Sequence, residues 1–267
     1  MRKDPPFILA AQIKGPKRLT SVKRLCAASM FMGCFIATVS PGAIVTVAYR
    51  SADDESFTLS DLGTSDWAYW DTADNPAAGT PTNEQSGGSI IGSLSAVGGG
   101  SLRGSASSVS PTNDFSFSDG SSPVNSSISD PSGLFNTFLD SAGVGLSLTF
   151  TLPTTDTYEI RIWTAMLKSN GTLSTSLSGA TDTDTIGAAT NVGDTSKGAG
   201  LFTITATADN PGDVLTTTFV LSDDLGDLAH ILINGAAVSV IPEPVFFANS
   251  LIVVAAFFVF LRRRRES

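Results

Sequence analysis

"GLSLTFTL" at Gly145–Leu152 and "TYEIRIWT" at Thr157–Thr164 carry the fold. In the first, Leu146, Leu148, Phe150 and Leu152 alternate with Ser and Thr; in the second, Tyr158, Ile160 and Ile162 alternate with Glu159, Arg161 and Trp163. Successive side chains of a strand point to opposite faces, so a period of two predicts one buried and one wetter face. Leu146, Leu148, Phe150, Ile160 and Ile162 are therefore expected inside, and Glu159, Arg161 and Trp163 outside. "LFTITATA", "VLTTTFVLS" and "AHILINGAAVSV" continue the pattern, and Asn234-Gly235 within the last reads as a bulge or tight bend. Earlier, "ESFTLSD", "DWAYWD", "GSIIGSLSAV" and "DFSFSDG" are strand-like between Gly, Pro, Asn and Ser turns. No window keeps a 3.6-residue period. About nine or ten short strands predict an all-β domain, an antiparallel β-sandwich of jelly-roll type. Gly79–Pro111, rich in Gly and Ser, reads as a long loop with one strand.

The two ends differ in kind from this body. Met1–Arg24 carries seven basic residues against one acid, and Leu25–Ala48 follows without a charge. That is a basic leader and an apolar stretch, an N-terminal signal helix spanning residues 1–48. Thr46-Val47-Ala48 offers small residues for cleavage after Ala48. The exported sandwich is then expected over residues 49–240. Both cysteines, Cys26 and Cys34, fall in the leader, so the body has neither a disulfide nor a thiol nucleophile.

At the other end, residues 241–267 hold Pro242-Glu243-Pro244, an apolar run at Val245–Leu261 and then Arg262, Arg263, Arg264 and Arg265. The run has 17 residues. As a helix it reaches about 26 Å, just enough for a transmembrane helix across a hydrocarbon core of about 30 Å. The arginines belong on the cytoplasmic side, which puts the body outside.

Charge excludes one class of partner. Tyr49–Ile241 holds five basic residues against 22 acids, a net charge of −17. Such a surface repels nucleic acid. Catalytic candidates are few. His230 is the single histidine, it lies in a strand-like stretch, and no G-x-S-x-G elbow accompanies it. It reads as an outward-facing strand residue. A glycan-active enzyme needs two carboxylates across a cleft, and 22 scattered acids single out none. "SADDE" (Asp53, Asp54, Glu55), "TDTDT" (Asp182, Asp184) and "SDDLGD" (Asp223, Asp224, Asp227) match no calcium-loop spacing. No metal site or cofactor is expected, calcium being the one ion these acids would suit. "SDWAYWDT" is the most distinctive stretch of the body. Trp67 and Trp70, three apart, should face opposite sides of a strand. Exposed, Trp67, Tyr69, Trp70 and Trp163 would be the aromatics on which a carbohydrate-binding module stacks sugar rings.

The tail resembles a PEP-CTERM sorting signal: Pro242-Glu243-Pro244, an apolar span and an arginine block after an N-terminal signal segment. The resemblance implies recognition by a membrane-embedded exosortase, cleavage close to the motif and delivery to the cell surface or extracellular matrix. The body, with "DLGTSDWAYWD", "FSFSDGSSP" and "GVGLSLTFTLP", is similar to exported jelly-roll proteins that carry such a tail; this brings no catalytic residues. The combined expectation is a non-enzymatic surface or biofilm-matrix protein. Its expected partners are the secretion machinery, exosortase, the membrane and extracellular polysaccharide. Carbohydrate binding through exposed aromatics is the alternative.

Overall fold

The computed structural model describes residues 44–71, 78–104, 113–178, 186–191 and 197–242. Residues 1–43 of the expected signal segment, Glu243, Pro244, the apolar run and Arg262–Arg265 lie outside them, as do Asp182 and Asp184. Among the described residues no helix is long and apolar enough to cross a membrane.

The protein is an antiparallel β-sandwich with a third, smaller layer. The first sheet runs in the order β1 (Ile44–Ser51), β14 (Lys197–Thr207), β11 (Thr157–Leu167), β16 (His230–Ile241), β3 (Asp66–Tyr69), β4 (Asn83–Glu84). β9 (Leu134–Asn136) also pairs with β16 and carries β6 (Leu102–Gly104). The second sheet is β13 (Ile186–Asn191), β12 (Ser169–Leu177), β15 (Asp213–Asp224), β10 (Gly145–Leu152), β5 (Ser95–Val97). The third is β2 (Ser56–Thr58), β7 (Asp114–Phe117), β8 (Ser126–Ile128), in which β2 and β7 are parallel. A single helical turn, α1 (Leu59–Leu62), ends β2.

Alternation builds the core as expected. Leu146, Leu148, Phe150, Ile160 and Ile162 are all fully buried between the first two sheets, with Phe202 and Phe219 edge-on at 5.4 Å between ring centres. Each of these fully buried side chains contributes about 1.5–3 kcal/mol to the burial on which a cysteine-free body depends. The outer face of the first sheet is covered too. Trp67, Tyr69, Trp163, Leu201 and Ala237 pack there against Phe57, Phe115 and Phe117 of the third sheet. Glu159 and Arg161 form an ion pair at its half-buried margin. β16 consequently reads as buried from His230 to Val238, because it is apolar on both faces.

Several expectations need correction. Among the described residues sixteen strands replace the nine or ten expected, many of only two to four residues. Gly79–Pro111 contributes β4, β5 and β6 rather than one strand. The sandwich begins earlier than residue 49: β1 starts at Ile44 and Ala48 sits mid-strand opposite Thr203. Val45, Val47 and Tyr49 face the main core. The apolar side chains that resemble the end of a signal segment are the inward face of an edge strand. The Asn234-Gly235 bulge is present: Trp163 pairs with Gly235 and Thr164 with Ile233, leaving Asn234 as the extra residue. A Cβ at Gly235 would stand 2.7 Å from the Phe115 ring, so only glycine lets the third sheet approach.

Candidate functional site

Strand registers give the sandwich two distinct ends. Ile44 lies opposite Thr207, Thr207 opposite Thr157, and Thr157 opposite Ile241. The first strand thus enters, and the last leaves, at one end, here the entry end. The loops 153–156 and 208–212 belong to it. At the far end lie loops 98–101, 137–144 and 225–229, together with Lys168, which by itself carries the chain from β11 in one sheet to β12 in the other.

At the entry end β16 keeps its pairing to Ile241, and Ile241 and Pro242 are exposed. Proline has no amide hydrogen and locks its own φ, so the ladder stops at Pro242. Of the Pro242-Glu243-Pro244 string only Pro242 is described, and it leaves the sheet directly, with no loop between.

The far end holds the most constrained backbone. Leu228, Asp140 and Lys168 adopt φ of 68°, 56° and 46°, and Gly98, Gly99 and Gly100 are also left-handed. For residues other than glycine each such conformation costs about 1–3 kcal/mol. Local bonds hold them. Asp140 exchanges hydrogen bonds with Ala229, its amide donating to the Ala229 carbonyl and its carboxylate accepting from the Ala229 amide. Asn136 Nδ2 donates toward the carbonyls of Val97, Gly99 and Gly145 (2.9, 2.7 and 3.1 Å). Phe138, 54% exposed, and Leu228, 59% exposed, stand outward from this end.

His230 lies behind them and is buried, not outward-facing. Its Nδ1 is 2.7 Å from the Leu228 carbonyl, which only accepts, so Nδ1 carries the proton and Nε2 is left with a lone pair. Phe135 packs on the ring at 4.7 Å, and Nε2 has no partner. Burial lowers the His230 pKa below its ordinary value, the Leu228 bond opposing. The neutral imidazole is a packing residue.

The aromatics expected to contact glycans are core residues. Trp67, Trp70 and Trp163 have no exposed surface and Tyr69 is 6% exposed. Stacking a sugar needs an open ring face, and these faces are occupied by Phe117, Phe57 and Phe115 or by the main core. Trp67 and Trp70 do face opposite sides, one toward each core. What the sequence pattern hides is the third sheet, which turns an outward face into an interior.

Acids singled out by the sequence are engaged by neighbouring groups of the protein. Asp53 accepts from the Ala199 amide and the Ser51 hydroxyl, Glu55 pairs with Arg50, Asp223 accepts from Asn170, and Asp224 from the Gly226 amide. Among the described residues no group of three or more His, Cys, Asp or Glu side chains is arranged to hold a metal ion. One acid escaped the sequence reading: Asp66, 2% exposed, whose Oδ2 accepts from the amides of Ile90 and Ile91 (2.7 and 2.9 Å). It pins the segment before β5 to β3. Burial raises its pKa, and the amide bonds oppose the rise.

No protein-family model and no curated protein matches the chain. Among solved structures, the enzymatically active domain of bacteriophage CBA120 tailspike protein 4 aligns with 57% of this chain at 13% identity and a TM-score of 0.33. The match spans 20% of that chain. Similarity at that level carries no functional argument.

Proposed function

We propose that the protein is a non-enzymatic exported jelly roll, delivered to the cell surface or extracellular matrix through a C-terminal PEP-CTERM signal read by an exosortase. The winding supports the jelly-roll reading. β9 to β16 form two four-stranded sets ordered β9-β16-β11-β14 and β10-β15-β12-β13, and every connection except β12–β13 crosses between them. The observation that carries the sorting reading is the exit of β16: hydrogen bonding ends at Ile241, and an exposed Pro242 opens the motif. Pro242, Glu243 and Pro244 then sit between a finished fold and an apolar run, where a membrane-embedded enzyme has access. The net charge of the body favours a soluble exterior component and disfavours nucleic acid. The single histidine is engaged in packing, which supports a non-catalytic role.

The test is mass spectrometry of the protein from a host that has exosortase. The wild-type chain should lack Val245–Ser267, and Glu243→Ala should leave a membrane-bound precursor with the tail intact. A full tail on most wild-type molecules at the cell surface would make this a single-pass membrane protein instead.

A further inference from the structure

Resting on that sorting reading, we infer that the folded precursor stands end-on at the bilayer, its entry end toward the lipid and its far-end loops turned outward as the presented surface. Three observations combine. First, β1 begins and β16 ends at the same end of one sheet, separated by three ladder steps through β14 and β11. At about 4.8 Å per step the two chain crossings are about 14 Å apart. Both apolar segments flanking the sandwich can therefore enter one membrane while every strand stays paired.

Second, the tethers are short. Ile241, still hydrogen-bonded in the sheet, and Val245, the first residue of the apolar run, are four positions apart. At no more than about 3.5 Å per residue, the sheet ends within about 14 Å of the apolar run. On the other side the uncharged stretch from Leu25 leads into β1 with no charged residue between. A tether so much shorter than the body leaves it little freedom to lie flat. The length of β16, 12 residues or about 40 Å, then sets how far the far end stands from the surface.

Third, the two ends differ chemically. The entry-end loops carry Asp156 and Asp209, with Asp213 beside them at the start of β15, and no basic residue. Such loops are repelled by anionic headgroups, so the tethers and not lipid binding must hold this end near the membrane. The far end carries the exposed apolar side chains Phe138, Leu225 and Leu228 on constrained loops. Buried against lipid they would be hidden; end-on, they face the exterior.

The experiment uses the full chain with Glu243→Ala, reconstituted in vesicles, with Cys26 and Cys34 replaced by serine. A fluorophore is attached at Thr155→Cys in the entry-end loop or at Ala142→Cys in the far-end loop; both positions are exposed. Nitroxide-bearing lipids are the quencher. Quenching should be severalfold greater at 155 than at 142. Equal quenching, or greater quenching at 142, with the protein still in the vesicle fraction would overturn the end-on arrangement and leave the sorting reading standing. A protein that does not float with the vesicles, quenched at neither position, would overturn both.

Discussion

Two tryptophans in one cluster provide an internal control on how buried donors count. Trp67 and Trp163 are both fully buried between the first and third sheets. Trp67 Nε1 donates to Asp119 Oδ1 at 2.7 Å, whereas Trp163 Nε1 has no partner. Replacing either by phenylalanine removes the same atoms from the same environment, a shared packing loss of about 2 kcal/mol. At Trp67 the charge-assisted bond is lost as well, about 1.5–3 kcal/mol. The low end applies here, because Asp119 is half-buried and keeps Gln85 as a donor. At Trp163 the substitution instead removes an unsatisfied buried donor, returning about 1–3 kcal/mol. Trp67→Phe should therefore cost about 3–4 kcal/mol, and Trp163→Phe should fall between a gain and a cost of about 1 kcal/mol. Trp163→Ala, which vacates the site between Phe57 and Phe115, should cost about 3–5 kcal/mol. The assay is guanidinium denaturation of the purified protein followed by far-UV circular dichroism. Costs for the two phenylalanine variants that agree within about 0.5 kcal/mol would refute the reasoning, since Trp163 Nε1 would then have to be satisfied.

Two further outcomes follow from the fold. The mature N-terminus should lie at or before Ile44, because cleavage after Ala48 removes five of the eight residues of β1, including buried Val45. Terminal sequencing of the protein purified from its host checks this, and a start at Tyr49 would show that β1 is dispensable. Asp66 should make stability fall as pH rises. Its folded pKa lies above the ordinary 3.8, so the native state binds the extra proton between 3.8 and the raised value, and that contribution is lost as pH climbs through it. Asp66→Asn keeps an oxygen for the Ile90 and Ile91 amides and removes the charge. Denaturation midpoints measured from pH 4 to 7 should lose this component of the slope, with stability at pH 7 within about 1 kcal/mol of wild type or higher; an unchanged slope would locate the titration elsewhere.

The long strands were legible in the sequence because period-2 alternation was their main constraint: Leu146 to Leu152 and Tyr158 to Ile162 point inward as their spacing says. Short strands were legible only singly. "ESFTLSD" and "DFSFSDG" mark Ser56–Thr58 and Asp114–Phe117, but Ser126–Ile128 is too brief to display a period, and nothing in the three shows that together they cover a whole face. That missing layer explains why Trp163 was assigned outward and why "SDWAYWDT" looked like a sugar platform. β1 was missed because an inward-facing row of valines and a signal segment share a composition, and only pairing with β14 separates them. His230 was misplaced because Phe135, which packs on its ring, is distant in sequence. Pro242-Glu243-Pro244 was legible as a string following the last strand; what the structure adds is that this strand stays paired to β11 as far as Ile241.

β16 is held by β11 along one side and by β3 and β9 along the other, whereas β1 has β14 alone. A pull on the chain at Pro242 acts along the axis of β16, at right angles to its ladder bonds. Those bonds must slide together rather than open in turn, and on both flanks at once. A pull at Ile44 meets a single ladder. Under load, the leader side of this protein should therefore yield before the tail side, leaving the exit strand as the mechanical root of the domain.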